Sequence, residues 1–163
     1  MKLCITLLLL FICKAPLYAQ KESIPLYKQF TFIPPFSVIN IADGTTYTKD
    51  DLVKKKPTLI ILFSPDCDHC KQFTKQLIAQ ISLFSKYQIL MVSFMDNLLI
   101  KQFYTDFELW KYHNITVAKD NTYYFGTFYA IHTYPTIVIY DKKGKLVKLY
   151  AGNVPLNTIA AAL

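Results

Sequence analysis

Residues 57–71 read PTLIILFSPDCDHCK, and the rest of the chain is organised around them. Thr58 to Phe63 is a short apolar run of the kind that forms a strand buried on both faces. Ser64-Pro65-Asp66 interrupts it, and an amphipathic stretch follows with Phe73, Leu77, Ile81 and Phe84 at helical spacing. Cys67 and Cys70 therefore fall where a strand ends and a helix begins. Unpaired backbone N–H groups and the positive end of the helix dipole face Cys67 there and favour its thiolate. Two thiols three residues apart on a first helical turn reach disulfide geometry without backbone movement. The stretch reads as a redox centre.

Two other uses of a cysteine pair compete with that reading. Half a zinc site needs a second ligand pair, and His69, His113 and His132 do not stand at zinc-ribbon spacing. A static disulfide closing so short a loop removes little entropy from the unfolded chain. A redox-active pair is the reading that uses the position as well as the spacing.

The 163 residues suit one domain with a real core. Met1 to Ala19 has a basic start at Lys2, an apolar run from Leu3 to Ile12 and a possible cleavage site after Leu17-Tyr18-Ala19. The run is too short to span a bilayer. It is read as a secretory signal, with residues 20–163 as the mature domain and an exported, periplasmic location. Cys13 supplies a lipoprotein alternative, although Ile12 is bulky for that processing. Cleavage at Ala19 removes Cys4 and Cys13 and leaves Cys67 and Cys70 alone. An exported chain with a single such pair has no disulfide framework to maintain, so its thiols read as tools. The formal charge is +7, and its one dense cluster, Lys54-Lys55-Lys56, reads as a solvated loop. No basic stripe with interleaved aromatics exists, which argues against nucleic acid as a partner.

Along the chain, Gln20 to Thr31 is expected to be an extended lead-in. Phe36 to Asn40 reads as a strand, Asp43-Gly44 as a turn and Thr45 to Tyr47 as its return, with Thr48 and Asp51 forming a capping box. Gln88 to Phe94 is a second buried strand. Leu99, Phe103, Phe107 and Trp110 mark one face of a second helix. This alternation implies parallel strands with a right-handed crossover. Ile115 to Ala118 is a short strand, and Asn121 to Ala130 an aromatic helix or turn. Thr136 to Tyr140 and Lys145 to Tyr150 pair about an Asp141–Gly144 turn, and Asn153 and Pro155 open a brief terminal helix.

Strand, CxxC, helix, then Tyr134-Pro135-Thr136 before a β-hairpin resembles the thioredoxin fold: α/β, a central mixed sheet flanked by helices. The added hairpin at Phe36 to Tyr47 is similar to that of TlpA-like exported thiol–disulfide oxidoreductases. The resemblance covers roughly residues 30–163. It implies that Cys67 is the attacking thiol, Cys70 the buried resolving thiol, and Pro135 a cis-proline facing them. The Tyr134 backbone is then free to pair with an extended substrate. Two features depart from the family: Ile61 stands where thioredoxins carry a buried acid, and Phe73 where some TlpA-like reductases place a glutamate, so the usual proton acceptors for Cys70 are absent from both places.

His69 resembles the histidine of strongly oxidising relatives, whereas Asp66 and Asp68 place carboxylates near the same sulfur. These three are the expected redox-tuning residues, and the direction of electron flow stays open. The favoured function is a thiol–disulfide oxidoreductase, leaning to a reductase of protein disulfides. Its partners are protein thiols or disulfides and a redox donor or acceptor protein. No metal or other cofactor is called for. Membrane contact arises only through a membrane-bound electron donor or a lipidated Cys13. An oxidase or isomerase, or a non-catalytic module binding metal or a client protein, is the alternative.

Overall fold

Alternation explains how the apolar run is buried on both sides. In the computed structural model, which describes residues 24–162, Thr58–Leu62 is a strand (β3) with every residue buried. Leu59 and Ile61, with Phe63 just beyond the strand, point into one core. Ile60 and Leu62 point into the other, as a period of two requires. Each such Leu or Ile removed from water contributes about 1.5–3 kcal/mol. A one-residue slip of register would exchange every side chain of the strand between the two cores. The expected signal at Met1 to Ala19, its cleavage site and Cys13 lie outside the described residues.

Seven strands form one mixed sheet. In chain order the others are Ser37–Asn40 (β1), Thr46–Thr48 (β2), Gln88–Ser93 (β4), Ile115–Lys119 (β5), Thr136–Tyr140 (β6) and Leu146–Ala151 (β7). Their spatial order is β2-β1-β5-β4-β3-β6-β7. The β3–β4 and β4–β5 pairs are parallel, and the β1–β5, β3–β6 and β6–β7 pairs are antiparallel. The leading hairpin thus extends the sheet beyond β5, with Gly44 at φ 75° in its turn. The Thr48–Asp51 capping box is present, followed by one 3-10 turn, Lys49–Asp51.

Helices cover both faces. Asp68–Ala79 (α2), Asn97–Asp106 (α3) and Leu156–Ala160 (α5) bury Phe73, Leu77, Ile100, Phe103, Leu156 and Ile159 in the core that holds Ile61. Leu26–Gln29 (α1) and Tyr124–Tyr129 (α4) lie over the other core, where Tyr129 and Tyr140 share a buried hydrogen bond of 2.7 Å.

Four local expectations need correction. The lead-in is not wholly extended, because Leu26–Gln29 turns into α1 against α4. The redox helix stops at Ala79, and a 3-10 turn, Ile81–Phe84, carries Phe84 into the core. The second helix does not run through Trp110. It ends at Asp106, Glu108 takes a left-handed φ of 48°, and the break buries Leu109 and leaves Trp110 59% exposed. The buried face of α3 is accordingly Ile100 and Phe103, with Leu99 partly exposed. Finally, Pro155 and not Asn153 is the N-cap of the terminal helix.

Candidate active site

The chain leaves β3 at Leu62, turns through Ser64 and Pro65, and enters α2 with Cys67 as the N-cap residue. The N–H of Cys67 donates to the Ser64 carbonyl at 3.1 Å, which holds the turn closed. The Cys67 sulfur takes the place that a capping oxygen usually fills: it accepts from the N–H of Cys70 at 3.3 Å. Both cysteines are free thiols; Cys67 is half-buried and Cys70 is 1% exposed. One sulfur faces solvent and the other lies behind it in the core.

Burial pushes the Cys70 thiol far above its ordinary pKa, and the neighbouring Cys67 adds to the shift, while a backbone hydrogen bond at Ser64 opposes it. Ile61 and Phe73, each 1% exposed, share the apolar core around Cys70. The two positions at which the resemblance leads one to expect a buried acid are therefore packed with hydrocarbon.

The loop before β6 completes the site. The Tyr134–Pro135 peptide bond is cis. Pro135 is buried, and its carbonyl accepts from the N–H of Gly152 at 2.8 Å, anchoring the loop to the end of β7. The Cys67 thiol donates to the Tyr134 carbonyl at 3.8 Å, a long sulfur hydrogen bond. Thus Cys67, Cys70, Tyr134 and Pro135, from two distant stretches of chain, meet at the ends of β3 and β6.

Asp66, Asp68 and His69 are all exposed. The Asp68 side chain is 96% exposed and pairs with Lys71 of the same helix at 3.4 Å. Among the described residues the His69 ring makes no hydrogen bond. Water and salt screen charges placed this way. Among the described residues no cluster of three or more His, Cys, Asp or Glu side chains is arranged to hold a metal ion.

Sequence reasoning missed the wall beside Tyr134. The Phe94 ring, at the end of β4, lies 4.8 Å from that of Tyr123 in an edge arrangement and 6.3 Å from that of Tyr134. Tyr123 takes a left-handed φ of 55°, and its ring sits over Gly126 where a Cβ would otherwise be. Beneath these rings is a void of about 10 Å³, about the size of one water, bordered by Ser93, Asp120 and Tyr134. Asp120 is 3% exposed and caps α4: its carboxylate accepts from the N–H groups of Thr122 at 3.1 Å and Phe125 at 2.8 Å. The sequence signal for Asp120 was its place one residue past β5 and two before Thr122, a local capping pattern. Phe94 offered no comparable signal, because its neighbours Tyr123 and Tyr134 come from loops distant in sequence.

A thioredoxin-like domain family matches residues 49–163, which leaves the leading hairpin largely outside the matched span. No curated protein matches the chain. Among solved structures, a candidate thioredoxin from Neisseria meningitidis is 26% identical with a TM-score of 0.64, covering 78% of this chain and 84% of its own. A secreted disulfide oxidoreductase of Mycobacterium tuberculosis, described as homologous to E. coli DsbE, superimposes with a TM-score of 0.65. It is 15% identical and covers 78% of this chain and 92% of its own. An exposed lipoprotein thioredoxin from Streptococcus pneumoniae is 23% identical with a TM-score of 0.61, covering 80% of this chain and all of its own. The last two likenesses are of fold. With the family match spanning most of its length, the chain belongs to the thioredoxin-like domain family.

Proposed function

We propose that the chain is an exported reductase of protein disulfides, with Cys67 as nucleophile and Cys70 as resolving thiol. The observation that carries this is the half-buried Cys67 sulfur, held by the Cys70 N–H in front of the buried second thiol. The Cys67 thiolate attacks one sulfur of a substrate disulfide, forming a mixed disulfide and releasing one substrate thiolate. Cys70 then gives up its proton and attacks the Cys67 sulfur. The Cys67–Cys70 disulfide forms, the second substrate thiolate leaves, and two electrons have passed to the substrate. A donor dithiol restores the pair.

The reducing direction is supported by how few groups are placed around the Cys67 sulfur. A strong oxidant owes its potential to a stabilised reduced form. Here one N–H faces the sulfur, His69 stands in solvent, and two exposed carboxylates lie close by in sequence. The backbone of Tyr134, beside Cys67, is the proposed substrate-pairing segment, with Phe94 and Tyr123 forming the outer wall for neighbouring side chains. Export is supported by the basic and apolar leader read from Met1 to Ala19 and by a mature chain holding one cysteine pair.

Equilibration of the Cys67–Cys70 couple against glutathione tests the direction. A potential near that of thioredoxin, about −270 mV, is expected, and one near that of DsbA, about −120 mV, replaces the reductase with an oxidase. N-terminal sequencing of the exported chain should begin at or near Gln20. A lipid-modified Cys13 would make it a tethered form, and an intact Met1 in the cytoplasm would remove the export reading.

A further inference from the structure

Six lysines converge on one cleft at the end of the sheet remote from the cysteines. Lys54, Lys55 and Lys56, read in sequence as a solvated loop, are joined there by Lys49 and by Lys142 and Lys143 of the β6–β7 turn. Together they line a volume of about 310 Å³. None of the six forms an ion pair among the described residues. Asp50 is the one carboxylate in the lining. Of the acids close by in sequence, Asp51 is engaged by Thr48, and Asp141 accepts from the backbone N–H groups of Lys143 and Lys145.

The lysine loop is a fixed structure. Gln88, 9% exposed at the start of β4, accepts from the Val53 N–H at 2.8 Å and donates to the Val53 and Lys56 carbonyls at 3.1 and 3.3 Å. Lys55 takes a left-handed φ of 60° within the loop. Bordering the cleft, Val53, Phe30 and Phe32 are 60%, 60% and 56% exposed. The two phenylalanines line an apolar groove that shares Ile33 and Lys49 with the basic cleft.

We propose that this end of the domain docks on an anionic phospholipid surface. The lysines would meet the headgroup phosphates, and Val53, Phe30 and Phe32 the acyl boundary. Every cation in the chain is a lysine, since the sequence holds no arginine. Lysine ammonium groups are point charges suited to diffuse attraction, not to forked recognition of individual phosphates or bases. The register fixes the orientation. Thr58 and Tyr140 pair at the lysine end, and Leu62 and Thr136 pair at the cysteine end, roughly 13 Å away along the strands. A docked domain presents Cys67 away from the bilayer. Docking is independent of the redox reading, because the cleft shares no residue with the cysteine site.

Co-sedimentation of the full chain with vesicles tests this, comparing phosphatidylcholine alone with phosphatidylcholine mixed with phosphatidylglycerol at low salt. The apolar N-terminal run is common to all variants, so differences report the lysine end. Preferential binding to the anionic vesicles is expected. The triple variant Lys54→Gln, Lys55→Gln, Lys56→Gln should lose about 100-fold of that affinity with binding to neutral vesicles unchanged. Phe30→Ser with Phe32→Ser should weaken binding to both. Thermal unfolding and the rate of Cys67 alkylation, unchanged, confirm that a variant is folded. Should the triple variant not fold, Lys142→Gln with Lys143→Gln makes the same test on an exposed turn. Equal binding to the two vesicles overturns the proposal. So does anionic preference retained by the folded lysine variants, or lysine-dependent capture by DNA or heparin with no vesicle preference.

Discussion

Cys67 and Cys70 differ in exposure, and chemistry should separate them cleanly. Iodoacetamide should label Cys67 of the reduced protein well before Cys70, since burial keeps Cys70 as a thiol far into alkaline solution. Mass mapping of the first adduct checks this, and a first adduct on Cys70 would reverse the proposed roles. Cys67→Ser should abolish exchange, whereas Cys70→Ser should accumulate mixed disulfides visible on non-reducing gels. His69 and Asp68 should matter less than their place in the motif suggests. The Asp68 side chain is 96% exposed and paired with Lys71, so Asp68→Asn and His69→Ala should each change the Cys67 alkylation rate by less than about threefold at physiological salt. A tenfold change would restore them as tuning residues. The motif residues were legible because strand, break and helix start all lie within one short stretch. The partners of Tyr134 were not: Phe94 and Tyr123 reach it only through strand order and through the left-handed backbone at Tyr123.

The buried strands were the most readable elements, since β3, β4 and β6 are apolar runs whose residues are all buried. Helix ends were less so: the stop at Asp106 depends on Glu108 adopting a left-handed conformation that its side chain does not announce. The contact between α4 and β6 gives a test at this scale. Tyr129 and Tyr140 share their buried hydroxyl bond at 2.7 Å. Tyr140→Phe should cost about 1–3 kcal/mol by leaving the Tyr129 hydroxyl unpartnered, and the double change to Phe should cost less than the two single changes summed. Urea unfolding of the four proteins reads the cycle. Burial raises the Tyr140 pKa to about 12, against the opposing Tyr129 bond. The unfolded chain releases this proton first, so the contribution is complete below the ordinary tyrosine value near 10 and falls at about 1.4 kcal/mol per pH unit above it, until Tyr140 itself ionises. Stability measured from pH 9 upward should fall less steeply in Tyr140→Phe than in the parent; an unchanged slope would place the loss elsewhere.

For the whole molecule, fold class followed from the order of elements, and the sheet agrees with it in the strand pairings and in the added hairpin. The meeting of Lys49, Lys54–Lys56 and Lys142–Lys143 was hidden because it joins three separate stretches at one end of the sheet. The hairpin has a further consequence, in how crowded copies of the domain behave. By pairing with the end of β5, at Ala118 and Lys119, it moves the margin on that side out to β2, which is only three residues long. There the Thr48 N–H is already taken by Asp51. At the opposite margin Thr31 and Ile33 bond to Leu146 and Gly144, covering the start of β7, and exposed Lys148 follows. A neighbouring copy therefore meets short, charged or occupied borders, the usual protection against edge-to-edge fibre growth. The domain can hold an exposed, reactive thiol at high local concentration without its sheet templating an aggregate.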